Sequence, residues 1–293
     1  MDILAQVLNG LGIGSIYALV ALGYSMVYGI VQLINFAHGD IIMVGAYVTY
    51  VGLVTAGVPL WAAVLISILF CGIAGVLIEK LAYSRLLKKG APRISLLITA
   101  IGVSIFLQNL SQLLFSSSAK SMPAMFPNGM LELGALQVSS NTLLNIGTSI
   151  VMMIALQLLV NKTKIGKAMR ATSEDAGAAK LMGISTSSTI AFTFGVGSAL
   201  AAVGAVLYCN TFHQITPYMG GMLGLKAFVA AVLGGIGSIP GAMLGGYILG
   251  VAESLTTAAG GSQITDAIVF GILILVLLVK PAGLFGKNTR EKV

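Results

Sequence analysis

The sequence predicts an all-α polytopic membrane protein whose 293 residues form one membrane domain. Three observations support this fold class: hydrophobic residues make up 57% of the chain, charged residues only 9%, and the mean hydropathy is +0.99. Soluble domains carry about 25% charged residues, and a helix needs about 20 apolar residues to cross a bilayer. The chain therefore accommodates about eight hydrophobic segments with short connections, and no separate soluble enzyme domain.

Eight hydrophobic stretches follow one another along the chain. They cover residues 7–30, 37–56, 60–79, 94–115, 142–161, 188–209, 226–253 and 263–279. No Lys or Arg precedes the first stretch, so we expect it to remain as a span and not to be removed as a signal peptide. Within it, Gly10 and Gly14 form a G-x-x-x-G pair, which allows another helix to approach closely.

The second stretch, 37–56, is preceded by a polar sequence that contributes Asn35, His38 and Asp40. Polar groups at membrane depth must be satisfied inside the protein, and irregular backbone there lines a cavity or lies within protein. These residues are therefore candidates for a translocation pathway on a discontinuous helix. For His38 and Asp40 taken singly we favour a simpler interpretation, a helix start at which Asp40 accepts first-turn amides.

Two further candidates, Gln108 and Asn109, interrupt the apolar stretch 94–115. Their amides can hydrogen-bond to a neighbouring helix or line the pathway, and the sequence favours neither interpretation. Glu253 and Asp266 lie at the ends of predicted spans, where we expect them to be solvated.

The stretch 226–253 is interrupted by the sequence G-G-I-G-S-I-P-G. Proline lacks a backbone donor and glycine permits irregular backbone, so two half-helices are predicted here in place of one straight span. The candidate pathway residues at this break are Gly234, Gly235, Gly237, Pro240 and Gly241.

Basic residues cluster at 80–93, 162–180 and 280–292, and this pattern places all three segments on the cytoplasmic side. The net charge of +7 is thereby attributed to orientation, and no nucleic-acid partner is predicted. Three hydrophobic stretches separate the second segment from the third, so one of them must enter and leave on the same side. We assign this behaviour to 226–253 and, by the same arithmetic, to 37–56, which places the amino terminus on the cytoplasmic side.

Two related halves are predicted from a weak internal repeat. The sequence H-G-D-I-I-M-V-G-A-Y-V at 38–48 is similar to P-G-A-M-L-G-G-Y-I-L-G at 240–250. Each half would then consist of a span, a discontinuous element and a span. The alternative is a plain succession of eight full spans.

Residues 162–187, which we call the polar segment, interrupt the hydrophobic pattern at the centre of the chain. Thr172 or Ser173 is expected to cap a helix of about two turns, with Glu174 and Asp175 in its positive first turn and Gly183 at its end. So short a helix is marginal alone in water, and we therefore interpret it as a docking helix for another protein. The residues assigned to this docking role are Gly166, Arg170, Glu174, Asp175, Ala178, Leu181 and Gly183.

The sequence contains no phosphate-binding loop, no H-E-x-x-H and no G-x-S-x-G motif, so neither a catalytic residue nor a bound cofactor is predicted. Cys71 and Cys209 lack Cys or His neighbours at ligand spacing, so neither a disulfide nor a metal site is expected. A membrane pore that docks a separate motor is one interpretation. The other is an autonomous secondary transporter or channel, which the scarcity of intramembrane carboxylates disfavours.

Five sequence motifs carry a family resemblance. They are G-S-I-Y-A-L-V-A-L-G-Y-S-M-V-Y-G-I (14–30), I-N-F-A-H-G-D (34–40), I-G-K-A-M-R-A-T-S-E-D (165–175), L-M-G-I (181–184) and A-A-V-L-G-G-I-G-S-I-P-G-A (230–242). Together they extend over nearly the whole chain and resemble the permeases of high-affinity branched-chain amino acid ABC importers, specifically the LivH-type subunit.

The resemblance implies that residues 1–293 form a permease domain in the cytoplasmic (inner) membrane of a bacterium, with a coupling loop at about 162–187. It implies a LivM-type second permease, two ATPase subunits that bind ATP and magnesium, and a periplasmic or extracellular substrate-binding protein. Leucine, isoleucine and valine are the implied substrates, with urea or short amides as the alternative. Glu174 and Asp175 depart from the family-wide pattern, because other importers carry E-A-A at this point.

Overall fold

The computed structural model of the chain describes residues 3–31, 35–126, 129–133 and 136–286. The basic residues Lys287, Arg290 and Lys292 of the predicted tail lie outside this part. Six helical segments within it are long and apolar enough to span a membrane. They are Ile3–Val31, Leu60–Lys88, Ile94–Phe115, Ser140–Lys162, Thr186–Phe212 and Ser262–Val279. The predicted all-α polytopic fold is confirmed.

The helices are, in chain order, α1 (Ile3–Val31), α2 (His38–Tyr50), α3 (Leu60–Ile78), α4 (Ser84–Lys88), α5 (Arg93–Phe115), α6 (Ser140–Lys162), α7 (Lys164–Glu174), α8 (Ala176–Leu181), α9 (Thr186–Phe212), α10 (Met219–Gly234), α11 (Ile239–Ala258) and α12 (Thr265–Val279). A π-helical turn at Val51–Thr55 extends α2, and another at Glu79–Tyr83 joins α3 to α4. A single 3-10 turn, Ser262–Ile264, precedes α12.

In the part of the chain that the structure describes, four short strands pair in two small antiparallel sheets. They are β1 (Lys120–Ser121), β2 (Met130–Leu133), β3 (Leu136–Ser139) and β4 (Gln214–Ile215). β2 pairs with β3, and β1 pairs with β4 so that Lys120 lies opposite Ile215. The second pairing ties the connection before α6 to the connection after α9, at the same end of the molecule.

The two central helices are α1 and α9, which are apolar on all faces. A helix of this kind belongs in the interior of a bundle, and most residues of α1 between Gly10 and Val27 are buried. The peripheral helices α3, α5 and α12 instead expose large apolar side chains, such as Leu69, Phe106 and Leu275. These exposed faces are suited to lipid.

Glycine permits the close packing of α1 on α11. A Cβ atom at Gly10 would lie 2.6 Å from Cα of Val251, and one at Gly14 would lie 2.7 Å from the carbonyl oxygen of Gly246. Real Cβ atoms do not approach backbone so closely, so both positions require glycine. The G-x-x-x-G pair therefore has the role that the sequence predicted, and α11 is the partner helix.

The direction of α1 follows from its packing on α9. Gly197 of α9 lies against Val27, and Gly204, about two helical turns farther on, lies against Val20, so the two helices are antiparallel. Since α9 begins at Thr186, within the last residues of the polar segment, α1 ends on the side of the molecule that carries this segment. We call that side the basic end, and the amino terminus of α1 lies at the opposite end.

The prediction of an amino terminus on the same side as the basic segments was therefore wrong. The stretch 226–253 does turn back, because it consists of two antiparallel helices, α10 and α11. The stretch 37–56 is instead one helix, α2, that leads away from the basic end. His38 at its start lies against Gly23 in the middle of α1, and Tyr47 stacks on Phe115, the last residue of α5.

Two pairs of consecutive helices, α1–α2 and α10–α11, pack on each other in a crossed arrangement. The first helix of each pair packs on the second helix of the other: α1 contacts α11, and α10 contacts α2 where Gly220 and Gly224 meet Gly39. Such an exchange is expected for two related halves. It supports the internal repeat between 38–48 and 240–250, since these sequences begin α2 and α11.

Candidate functional site

The polar segment begins with a sharp corner between α6 and α7. The Thr163 hydroxyl accepts a hydrogen bond from the Gly166 amide at 2.9 Å and donates to the Leu159 carbonyl at 2.6 Å. A Cβ atom at Gly166 would collide with the carbonyl oxygens of Leu159 and Val160, so only glycine fits there. Arg170, one turn farther on, donates to the Val160 carbonyl. Gly166 and Arg170 thus set the angle at which the segment leaves the bundle.

Asp175 separates α7 from α8. Its backbone is extended, and its carboxylate accepts hydrogen bonds from the amides of Gly177 at 2.7 Å and Ala178 at 3.0 Å. These contacts satisfy amides that the first turn of a helix leaves without an intrahelical partner. Glu174 is the last residue of α7, so it does not lie in the first turn of α8 as predicted.

The predicted caps at Thr172 and Ser173 are also wrong. Both residues lie inside α7, where the Thr172 hydroxyl donates to the Ala168 carbonyl at 2.8 Å and the Ser173 hydroxyl donates to the Arg170 carbonyl at 2.7 Å. Hydroxyl groups within a helix commonly bond back to the preceding turn in this way. They are therefore engaged before the next helix begins.

The end of α8 leaves two large apolar side chains in solvent. Gly183 has φ +83° and its amide bonds to the Lys180 carbonyl, so the helix ends where the sequence predicted. Ala179 is buried beneath it, whereas Leu181 is 90% exposed and Met182 is 82% exposed. An adjacent exposed Leu and Met beside a charged surface are typical of a protein contact.

The glycine break forms the tip of the α10–α11 hairpin. Gly235 and Gly237 have φ values of +100° and +91°, which glycine adopts without strain. The Gly237 amide donates to the Ser25 hydroxyl of α1 at 2.8 Å. Ser238 caps α11 and Pro240 lies in its first turn, where proline is well tolerated, so the break is produced by the glycines and not by Pro240.

A segment after α12 fastens the same tip. The amides of Leu284 and Phe285 donate to the carbonyls of Leu233 and Gly234, each at 2.9 Å. Gly234 packs so closely on Gly241 that a Cβ atom on either residue would overlap the carbonyl of the other. This segment thus satisfies two carbonyl groups of the irregular backbone at the basic end, whereas Gly237 and Pro240 of the tip remain exposed.

The polar residues before and within α2 are buried. The Asn35 side-chain oxygen accepts hydrogen bonds from the Ala37 amide at 3.1 Å and the Tyr83 hydroxyl at 2.8 Å. The His38 ring meets the Tyr24 ring edge-on, with centroids 4.7 Å apart. Its Nε2 atom has no hydrogen-bond partner among the described residues.

Asp40 accepts no first-turn amide of α2, and within the described residues the N-cap position is Ala37, which has no capping side chain, so the favoured interpretation of Asp40 was wrong. Its carboxylate instead accepts a hydrogen bond from the Gln108 amide of α5 at 2.9 Å. Asn109 is exposed and donates to the Ile105 carbonyl of its own helix. The structure therefore brings Gln108, but not Asn109, to the buried residues of α2.

A charged cluster that the sequence interpretation missed joins α10, α11 and α12. The Lys226 ammonium lies 2.9 Å from a carboxylate oxygen of Glu253 and 2.9 Å from one of Asp266. The Tyr17 hydroxyl donates to the second oxygen of Glu253 at 2.7 Å. Glu253 and Asp266 were expected to be solvated, but the cost of Lys226 within an apolar stretch was a signal that it needed anionic partners.

This cluster borders a cavity of about 330 Å³ toward the end of the molecule opposite the basic end. Its walls combine Lys226 and Glu253 of the charged cluster with apolar and aromatic side chains. The lining residues are Tyr17, Tyr208, Phe212, Gln214, Thr216, Met219, Met222, Leu223, Lys226 and Glu253. Such a mixture can bind a small molecule that has both polar and apolar parts.

Comparisons with known proteins agree with this architecture. Residues 6–278 match the family described as "Branched-chain amino acid transport system / permease component". The chain is 43% identical to the high-affinity branched-chain amino acid transport system permease proteins BraD of Pseudomonas aeruginosa and LivH of Escherichia coli K12, over 99% of its own length and 98% and 97% of theirs. It is 32% identical to a probable LivH of Methanocaldococcus jannaschii, over 94% of this chain and 90% of that protein. No solved structure matches.

Proposed function

Because the chain belongs to the family of branched-chain amino acid transport permeases, we propose that it forms half of the translocation pathway of an ATP-driven importer for leucine, isoleucine and valine. It is a multi-pass membrane protein, and the proposed location is the cytoplasmic (inner) membrane of a bacterium. Its partners would be a LivM-type second permease, two ABC ATPase subunits and an extracytoplasmic substrate-binding protein. ATP and magnesium would bind to the ATPase subunits and not to this chain.

One observation supports the ATP-driven mechanism most directly. At the basic end, the capped helix α8 presents Leu181 and Met182 almost fully exposed beside Lys180. An apolar pair at the end of a helix of six residues is stabilised by insertion into a groove of another protein. We propose that this groove lies on an ATPase subunit, and that the polar segment transmits the movement of that subunit to α6 and α9, which flank it.

Two alternative functions make different demands on the chain. A secondary transporter would work without an ATPase, but the described spans contain few carboxylates that could couple to an ion gradient. A permease for urea or short amides would need no charged group to recognise its substrate. Uptake of leucine and urea into vesicles, each with its binding protein and with or without ATPase subunits, separates these possibilities.

The docking proposal is tested by substitution of one exposed leucine. Leu181→Asp places a charge in the proposed apolar groove, and such a charge costs more than about 1.4 kcal/mol, or roughly tenfold in affinity. We expect the variant to insert in normal amount, to lose the ATPase on detergent pull-down, and to lose ATP hydrolysis stimulated by loaded binding protein. Leu131→Asp, at an exposed leucine of β2, is the matched control and should retain both. If Leu181→Asp still retains a stimulated ATPase, the docking role is wrong.

A further inference from the structure

Lys226 is held at a depth where an unpaired ammonium would be costly. Its side chain is 10% exposed and contacts Glu253, which is 19% exposed, and Asp266, which is 48% exposed. Removing one partner of a buried charge pair is strongly destabilising, yet apolar residues of similar size in place of the whole pair are often as stable. A purely structural tie between α10, α11 and α12 therefore gains little from being ionic. The ionic character of the cluster is therefore not explained by packing alone.

The cluster has hydrogen-bonding capacity to spare. An ammonium has three donors, and the two ion pairs engage two of those on Lys226. Each oxygen of Glu253 has one contact, from Lys226 or Tyr17, although a carboxylate oxygen can accept two. With one positive and two negative groups, the cluster has a formal charge of −1. The unused donor of Lys226 can bind an anionic group, and the unused acceptor positions of Glu253 can bind a cationic group beside it.

The cavity beside the cluster has an apolar wall. Met219, Met222 and Leu223 follow one another around the first turns of α10, and Phe212 faces them from the end of α9. At about 330 Å³ the cavity is near the lower limit of the roughly 300–1,000 Å³ found for small-molecule sites. A small ligand with an aliphatic chain would fill it.

We propose that this cavity binds a free α-amino acid as its zwitterion. The α-carboxylate pairs with the remaining donor of Lys226, the α-ammonium pairs with the carboxylate of Glu253, and an aliphatic side chain lies against Met219 and Met222. The inference rests on the proposed import of branched-chain amino acids and deepens it, because it gives the permease its own recognition of substrate. Urea or another neutral amide has no formal charges for this cluster to pair with.

The test measures whether a ligand protects the cavity from modification. The assembled importer is prepared in nanodiscs with Cys71→Ala and Cys209→Ala in this chain and a reporter at Met222→Cys, an exposed lining position. Maleimide alkylation is timed with leucine, with leucinamide, which lacks the carboxylate, and with 4-methylpentanoate, which lacks the ammonium. Leucine at about nine times Kd should slow alkylation roughly tenfold, because the free fraction falls as 1/(1 + [L]/Kd). The two analogues should not slow it.

A pair of lysine variants sharpens the result. Lys226→Met should abolish protection by leucine, whereas Lys120→Met, on β1, should leave it unchanged. If Lys226→Met does not fold, the three ligands alone decide. Equal protection by all three, no protection by leucine, or protection that survives Lys226→Met would overturn the site. Leucine uptake by the unaltered importer is measured in parallel: uptake without protection refutes only the site, whereas absence of uptake refutes the proposed function.

Discussion

The polar segment and the central glycine contacts hold the backbone in opposite ways. In the polar segment, Thr163 and Asp175 satisfy amides no more than three residues away, and the structure depends on particular side chains. At the centre, Gly10 and Gly14 meet a helix that lies far away in the chain, and the structure depends on the absence of side chains. Loss of a local contact should therefore fray one helix, whereas an added atom at the centre should disturb the whole bundle.

The amino terminus of α1, which carries the central glycines, should lie on the opposite side of the membrane from the polar segment. In a background with Cys71→Ala and Cys209→Ala, Ile3→Cys should react with an impermeant maleimide in intact cells, and Lys180→Cys should react only after permeabilisation. The reason is that α1 runs antiparallel to α9, which begins after the polar segment. Membrane immunoblots control for abundance. Reaction of Lys180→Cys in intact cells would contradict the orientation.

A large side chain at the central contact should prevent folding. In Gly14→Leu the new Cβ would lie 2.7 Å and 2.8 Å from backbone atoms of Gly246 and Tyr247. Overpacking lowers stability by about 1–3 kcal/mol. Because the atoms that the new side chain meets belong to the backbone and cannot move aside, we expect Gly14→Leu to reach or exceed the upper end of this range. We expect little folded protein in the membrane and a lower melting temperature in detergent. Gly147→Leu on α6 is the control, since that glycine has open space around it.

Substitutions at the hairpin tip should lower stability by an intermediate amount, and a glycine substitution should cost more than a proline substitution. Gly237→Ala adds a Cβ with room around it, 3.6 Å from Gly29, so the cost is the backbone strain of φ +91°, about 1–2 kcal/mol. Pro240→Ala should cost only about 0.4–1 kcal/mol, since proline at a helix start mainly stiffens the unfolded chain. Thermal unfolding in detergent compares the two, with uptake normalised to abundance. A larger loss for Pro240→Ala would assign the break to the proline after all.

The polar segment should show the most local effect and the smallest change in melting temperature. Asp175→Ala removes the cap of α8, which costs about 0.5–2 kcal/mol, whereas Asp175→Asn keeps an acceptor in the same position. Hydrogen exchange followed by mass spectrometry should report faster exchange at residues 177–182 in the alanine variant alone, with the melting temperature nearly unchanged. Glu174→Ala serves as the control for loss of a neighbouring carboxylate. Equal exchange in all three variants would show that the cap does not hold the helix.

Local signals in the sequence predicted local features well. Gly183 ends α8, and the glycines from Gly234 to Gly237 interrupt a hydrophobic stretch, because a positive φ is a property of a single residue. The cap was placed wrongly at Thr172 because a threonine hydroxyl can either cap the next helix or bond back to the preceding turn of its own helix. The sequence does not show that Thr172 already lies inside α7. The choice between Thr172 and Asp175 depends on where the preceding helix ends.

Long-range features were predicted only in part. The pair Gly10 and Gly14 predicts a close helix contact, but the identity of the partner helix depends on the three-dimensional arrangement. The ion pair of Lys226 with Asp266 joins residues on different helices, and the hydrophobic pattern around each gives no information about the other. The predicted side of the amino terminus was wrong for a related reason. A single helix leads to the other side of the membrane, whereas a helical hairpin returns to the same side, and the hydropathy of the two is similar.

The fastening of the hairpin tip has a consequence for how the protein is made. The carbonyls of Leu233 and Gly234 accept hydrogen bonds from the amides of Leu284 and Phe285. These amides leave the ribosome only after all of α11 and α12. At about 5–20 residues per second, these partners arrive a few to roughly ten seconds later. Until then these two carbonyl groups have no partner from the later segment, and the tip is held only by contacts within the hairpin and with Ser25 of α1. Closure of the tip is therefore a late step of biogenesis, and a chain that stops after α12 would reach the membrane with the hairpin unsealed.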